Sequence, residues 1–393
     1  MTDIVILDGA RTPFGKYCGS LKDINAVDLG VVAADAAIKR SGLMPDQIDN
    51  VVLGHVLQTC RDSHLISRHV GIKAKIPFNA SALTINRICG SGLEAVLTAA
   101  RFLITGESNI ALAGGAENMS QAPFLIRGAR TGIPFGRGEL EDSLWHGLRD
   151  GHIDMSMGHT AEKLARIYKI SREEQDEFAL RSHKAAAEAS QKGWLMEEII
   201  PVEVGGKNKR LFDSDEIIRA DANMAALSKL PPAFYPDGSV TAGNASAITD
   251  GAAAVTLTTA KIAKNLGIKP LGRLVKWGVE GVDPTIMGTG PIVAINKILR
   301  EAKVTLDKVD LIEINEAFAA QYLACEKNLK LDREKVNVNG GAIAIGHPLG
   351  ASGARLLLSL LYELRRRGKR YGIASLCIGG GQGIAALVEC LQA

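Results

Sequence analysis

No apolar run in the chain's 393 residues reaches the roughly 18–20 residues of a membrane span. That argues against a membrane protein. The start, Met-Thr-Asp-Ile-Val-Ile-Leu-Asp, goes straight into a strand pattern and lacks the basic region and apolar core of a secretory leader. The closing Glu389-Cys390-Leu391-Gln392-Ala393 is not a peroxisomal address. Charge of one sign is also missing. The net charge of +3 is too small to argue for nucleic acid or a membrane surface. Six cysteines (Cys18, Cys60, Cys89, Cys325, Cys377 and Cys390) form neither CxxC pairs nor zinc-finger spacings. Free thiols in a reducing, cytoplasmic compartment are therefore expected. His64 and His69 are spaced wrongly for one helical face, and no metal site is expected. There is no GxGxxG at a strand–helix turn and no phosphate-cradling GxxxxGK[ST] loop. Proline is scarce, 13 against 42 glycines, which suits a fold of many tight strand–helix turns.

What is present is an internal repeat. The segment Leu43–Gly54, LMPDQIDNVVLG, is matched 261 positions later by VTLDKVDLIEIN. The same offset carries Gly92 onto Gly353, the helical LEAVLTAARFL onto ARLLLSLLYEL, and Ala113 onto Ala374. Each half reads as helix, strand, strand, helix, strand. Alternating strands and helices imply an α/β protein with a mainly parallel sheet. Residues 120–248 break the pattern, with many charges, glycines and short helical stretches such as QDEFALRSHKAAAEASQKG. They read as a loop domain inserted in the first half. The expected division is 1–119 plus 249–270, 120–248, and 271–393.

One stretch, Arg87-Ile88-Cys89-Gly90-Ser91-Gly92-Leu93-Glu94-Ala95, places a cysteine between a strand-like run and a helix. Leu93, Val96, Leu97, Ala100 and Leu103 recur at helical spacing. A helix N-terminus favours a thiolate and lowers its pKa, and the glycines permit a tight turn and close approach of a ligand. The same stretch also reads as a small buried cysteine followed by turn glycines. In the second half, GHPLGASG places His347 before a helix start, INEAFA places Asn315 at a strand end, and CIGGGQG places Cys377 at a strand end before a glycine run. A cysteine with a distant histidine suits a thiol nucleophile and its base. A glycine run can aim N–H groups at a developing oxyanion. A second thiol suits a proton shuttle in carbon–carbon bond chemistry.

Six motifs in order, NRICGSG, GNASAITDGAA, GVDPTIMGTGP, INEAFAAQ, NVNGGAIAIGHPLGASGAR and CIGGGQG, resemble the thiolase family from the first strand to the last. The resemblance implies two βαβ-type halves stacked as a five-layered α-β-α-β-α body with an inserted loop domain. It implies that Cys89 takes the acyl group from an acyl-CoA. His347 activates it and later stabilises a thioester oxygen, and Asn315 holds a water in the same oxyanion hole. Cys377 moves the α-proton, and the N–H groups of Cys89 and Gly379 form a second oxyanion hole. For coenzyme A it implies Ser246 at the pantetheine and Arg219 near the nucleotide, with Phe234, Met157, Met287 and Phe318 lining the tunnel. Substrates are coenzyme A thioesters, with no separate cofactor, and the assembly is a homodimer or homotetramer, with Arg127, Arg130 and Arg137 in a segment suited to a dimer of dimers.

The implied reaction is acetoacetyl-CoA formation from two acetyl-CoA, or thiolysis of 3-ketoacyl-CoA. Medium- or long-chain thiolysis in β-oxidation is the alternative. One departure stands out: Ser156-Met157-Gly158 has serine where short-chain biosynthetic members carry histidine. Related decarboxylating enzymes use Cys-His-His or Cys-His-Asn, which the second cysteine opposes. A non-catalytic acyl-CoA-binding relative is opposed by the presence of Cys89, His347 and Cys377.

Overall fold

The computed structural model describes residues 3–392. The first half runs β1 (Ile4–Arg11), α1 (Ala26–Arg40), β2 (Asn50–Gly54), β3 (Ser81–Ile85), α2 (Ser91–Thr105) and β4 (Ile110–Asn118). A long excursion then carries α3 (Met157–Ile167) and α4 (Arg172–Gln191) before β5 (Thr249–Thr259) rejoins the sheet. The second half runs β6 (Gly272–Gly281), α5 (Gly290–Ala302), β7 (Leu311–Ile314), α6 (Ala319–Leu329), α7 (Leu349–Arg366), β8 (Tyr371–Ile378) and β9 (Gln382–Cys390).

The strand order is β7-β8-β9-β6-β1-β5-β4-β2-β3. Among the described residues, the two half-sheets pair through Val5 with Arg273 and Ile6 with Gly272. α2 and α7 lie side by side between the half-sheets in one apolar core. α1 covers the outer face of the first half-sheet, and α5 and α6 cover that of the second. These are the five layers expected from the sequence. α2 buries Leu93, Ala95, Val96, Leu97, Ala99, Ala100 and Leu103, with Phe102 partly buried. Residues 88–105 are apolar enough by length and composition to pass for a membrane span. Here residues 91–105 of that stretch form a core helix between two sheets.

The sheet is mixed, which corrects the mainly parallel expectation. Only β2 with β3, β2 with β4, and β7 with β8 pair in parallel. β5 and β9 run antiparallel to their neighbours. The cause is local in the second half. β8 turns back into β9 through Gly379-Gly380-Gly381, with Gly380 and Gly381 at φ +84° and +82°. A hairpin reverses the chain, whereas a parallel partner needs a crossover.

The offset of 261 puts α1, β2, α2 and β4 onto α5, β7, α7 and β8. It fails at β3, whose counterpart is the single helical turn Ala342–Ile345. Within the excursion, α4 begins with a capping box, Ser171 with Glu174. α3 and α4 pack on α6, which carries the N-terminus of α3 to the rim of the second half.

Candidate active site

Cys89 sits in the turn between β3 and α2. The turn is held in an uncommon conformation. Ile88, a β-branched residue, has φ +45°, a strained state costing about 1–3 kcal/mol unless its surroundings enforce it. Three contacts enforce it. Asn86 Oδ1 accepts the Ile88 N–H at 3.0 Å. Ser91 Oγ accepts the Arg87 N–H at 2.8 Å and donates to the Ile88 carbonyl at 2.7 Å. Gly90 lets the turn close on the end of β8: a Cβ there would lie 2.7 Å from Ile378 Cδ1. That approach brings Cys89 beside Cys377.

His347 occupies the equivalent turn before α7. Its Nδ1 lies 2.6 Å from Ser352 Oγ, and that hydroxyl donates to the Pro348 carbonyl at 2.9 Å. With its one proton so used, Ser352 accepts from Nδ1–H. The imidazole therefore carries its proton on Nδ1 and offers a bare Nε2. Asn315 Nδ2 reaches that Nε2 at 3.3 Å. Asn315 Oδ1 is buried without a protein partner.

The two turns approach because the central helices cross at glycines. A Cβ on Gly92 would fall 2.6 Å from the Gly350 carbonyl, and one on Gly353 would fall 2.2 Å from the Leu93 nitrogen. Gly92 and Gly353 are the pair related by the repeat.

Cys89 and His347 share the wall of a cavity of about 230 Å³. Met157, Ser246, Phe234, Met287 and Phe318 line it too. Cys377 lies fully buried behind that wall, packed with Met157, Met287, Ala317 and Phe318. Gly379 abuts Met157, whose Sδ a Cβ on Gly379 would meet at 3.0 Å. Gly158 makes room for Phe234: a Cβ there would fall 2.0 Å from the ring. Arg219 is not brought to the cavity. It is exposed on the excursion, its backbone N–H on His183 Nδ1 at 3.3 Å.

The family model for the thiolase N-terminal domain matches residues 4–261, and that for the thiolase C-terminal domain matches residues 268–390. The chain belongs to the thiolase family. It is 47% identical over 388 residues to human mitochondrial 3-ketoacyl-CoA thiolase, covering 98% of each chain. It is 49% identical over 398 residues to acetyl-CoA acetyltransferase of Syntrophomonas wolfei, covering 100% of each. Among solved structures, human mitochondrial 3-ketoacyl-CoA thiolase in complex with CoA superposes with a TM-score of 0.97 at 46% identity, covering 99% of this chain and 98% of that one. Bacillus anthracis acetyl-CoA acetyltransferase gives 0.98 at 45% identity, covering 100% and 99%. The thiolase is thus an acyltransferase enzyme.

The electrostatics of this thiolase correct one expectation. The helix N-terminus does not make Cys89 a low-pKa thiol. Burial pushes it up to about 11, against the opposing pull of the Gly379 and Cys89 N–H groups. Burial, then the Arg355 charge, pushes His347 down to about 3. Burial, then neighbouring Cys89 and Cys325, pushes Cys377 well above the ordinary thiol range. All three groups are therefore neutral at pH 7.

Several site residues escaped the sequence reading. Met119, Trp145, Leu148, Ile248 and Leu349 complete the cavity wall, and single apolar residues in loops give no signal. Ser352 fixes the His347 tautomer from five positions on. Ser156, already singled out in the sequence, is buried and serves as the N-cap of α3, its Oγ accepting the His159 N–H at 3.4 Å and meeting His159 Nδ1 at 2.7 Å. A serine before a helical pattern is a readable cap signal.

Proposed function

We propose that this thiolase catalyses reversible Claisen condensation of acyl-CoA, and the reverse thiolysis of 3-ketoacyl-CoA, through an acyl group carried on Cys89. The reading rests on one observation above the others. Cys89 and His347 face one cavity, with Cys377 directly behind it and the Gly379 N–H aimed at the Cys89 sulfur.

In the first half-reaction the Cys89 sulfur attacks the thioester carbonyl. Its proton passes to His347 Nε2, the bare nitrogen of the locked tautomer. A bond forms from Sγ to the acyl carbon, the bond to the CoA sulfur breaks, and CoA leaves with the proton. In the second, Cys377 gives its thiol proton to His347 Nε2 and, as the thiolate, takes an α-proton from a second acetyl-CoA. The resulting carbanion attacks the Cys89 thioester and displaces Sγ, which takes its proton back from His347, giving acetoacetyl-CoA. The N–H groups of Cys89 and Gly379 stabilise oxygen charge on the Cys89-bound acyl group. Protonated His347, with a water on Asn315, stabilises the oxygen of the second thioester. Preorganised donors of this kind are worth about 3–4 kcal/mol each. Ser246 contacts pantetheine, Phe234, Met157, Met287 and Phe318 line its path, and Arg219 meets the nucleotide end.

The division into 1–119 with 249–270, 120–248 and 271–393 assigns the two catalytic turns to the core and the coenzyme contacts largely to the insertion. We place the enzyme in the cytoplasm, where six free thiols persist. We also read it as a homodimer through the open edge of β3, where Leu83 is 42% and nearby Phe78 77% exposed. A bare edge strand invites such pairing. The exposed Phe124, Phe135 and Leu140 beside Arg127, Arg130 and Arg137 suit a dimer of dimers.

Steady-state thiolysis of acetoacetyl-CoA and longer 3-ketoacyl-CoAs tests the reading. Turnover that disappears in Cys89→Ala supports it. No turnover of any 3-ketoacyl-CoA, in either direction, overturns it.

A further inference from the structure

Glu117, near the end of β4, has no part in the chemistry above, yet it is fully buried beneath the catalytic turns. Its carboxylate gathers N–H groups from two separate segments. Oε2 accepts from Val56 at 3.1 Å and from Gly350 at 3.0 Å. Oε1 accepts from Leu57 at 3.1 Å and lies 3.3 Å from His55 Nδ1. His55 Nδ1 also meets the Ala116 carbonyl at 2.8 Å, so it carries a proton. Every neighbour of the carboxylate is thus a donor, and no acceptor is left for a carboxylic O–H. That arrangement holds Glu117 ionised. Burial is the largest influence on it and works the other way, raising its pKa above the ordinary carboxylate value.

The two segments lead to the two catalytic groups. Gly350 is in the first turn of α7, three residues after His347. Val56 leads to Cys89: its carbonyl accepts Asn86 Nδ2 at 3.1 Å, and Asn86 Oδ1 accepts the N–H of Ile88, next to Cys89. Leu57 packs in one cluster with Cys89 and Leu349. One carboxylate therefore ties a turn of the first half to a turn of the second.

We propose that Glu117 is a positioning residue that sets the Cys89–His347 geometry across the two halves, and that its charge adds to burial in opposing a resting Cys89 thiolate. The charge effect has a known direction: a carboxylate beside a thiol disfavours thiolate, and Glu117 acts on Cys89 in that sense. The other ionisable groups around Cys89 are His347 on the cavity wall, Cys377 behind it and His55 beyond Glu117. Glu94, on the next turn of α2, is paired with Arg87 and Arg101.

Two variants separate the two roles. Glu117→Gln removes the charge and turns an amide N–H toward backbone N–H groups. Glu117→Asp keeps the charge but shortens the reach. The readouts are kcat and KM for thiolysis, and the pH profile of Cys89 alkylation by iodoacetamide, located by peptide mass spectrometry. Alkylation needs no turnover, so it stands apart from the activity reading. For Glu117→Asp the expected result is an unmoved alkylation profile with kcat down on the order of 10²-fold and KM little changed. For Glu117→Gln the expected result is the same direction in kcat with the profile displaced to lower pH. A Glu117→Gln protein that does not fold leaves the Asp variant to decide. An Asp variant with wild-type kcat overturns the positioning role. A Gln variant with an unmoved profile overturns the charge role.

Discussion

His347 Nδ1 and Ser352 Oγ stand 2.6 Å apart, and the serine's proton is already committed to the Pro348 carbonyl. In the proposed mechanism this contact decides which imidazole nitrogen acts as the base. Ser352→Ala should therefore lower kcat by about 3- to 10-fold, the worth of one hydrogen bond, with KM for the acyl-CoA little changed. Equal loss in kcat and a large rise in KM would point to a collapsed cavity instead.

Gly353 tests the helix crossing. Alanine there places a Cβ 2.2 Å from the Leu93 nitrogen, so backbone must move. Overpacking of this kind costs about 1–3 kcal/mol. Gly353→Ala should lower the Tm and depress kcat further than the stability loss accounts for, because the crossing spaces Cys89 from His347. Thermal unfolding and thiolysis rates on one preparation check this. Wild-type kcat with a lowered Tm would separate the crossing from the site.

The order of the motifs and the 261-residue offset made the layers legible from sequence and pointed to Cys89, His347 and Cys377, which the fold gathers at one cavity. Both depend on local patterns: apolar spacing, helix starts and glycine turns. What stayed hidden depends on tertiary burial. Cys89 looked like a helix-activated thiolate because the N-terminus of α2 is visible in sequence, while the cover over the thiol is not. Glu117 is a lone acid in an apolar strand, and its three N–H partners come from segments about 60 and 233 positions away. The mixed sheet stays hidden because alternating strand and helix patterns do not mark the antiparallel hairpin at Gly379–Gly381. The β3 counterpart was misread because Ala342–Ile345 is as apolar as a strand.

Ser156 offers a specificity test. It caps α3, and removing a serine cap costs about 1 kcal/mol. Ser156→His should lower the Tm slightly. Histidine is bulkier and sits on the cavity wall, so thiolysis of C6 to C8 3-ketoacyl-CoAs should fall relative to C4. The wild type is expected to turn over chains longer than acetoacetyl-CoA. An unchanged C4-to-C8 ratio in the variant would remove Ser156 from any role in chain length.

Acid stability should depend on His183. Burial, then the charge of Arg219, pushes it down to about 4. A histidine with a lowered folded pKa is bound to fewer protons when folded than when unfolded. Its contribution is full above pH 6.5 and is lost as pH falls toward 4. His183→Asn should flatten the fall in Tm between pH 6.5 and 4. An identical slope in wild type and variant would show that His183 does not titrate on unfolding.

The account turns on which thiol carries the acyl group. Wild type and Cys377→Ala are exposed briefly to acetyl-CoA, quenched in acid, digested and mapped by mass spectrometry. The account requires the added acetyl on Cys89 in both proteins, with α-proton exchange of acetyl-CoA lost only in Cys377→Ala. Acetyl on Cys377 in the wild type, or a Cys377→Ala enzyme that condenses normally, would contradict it.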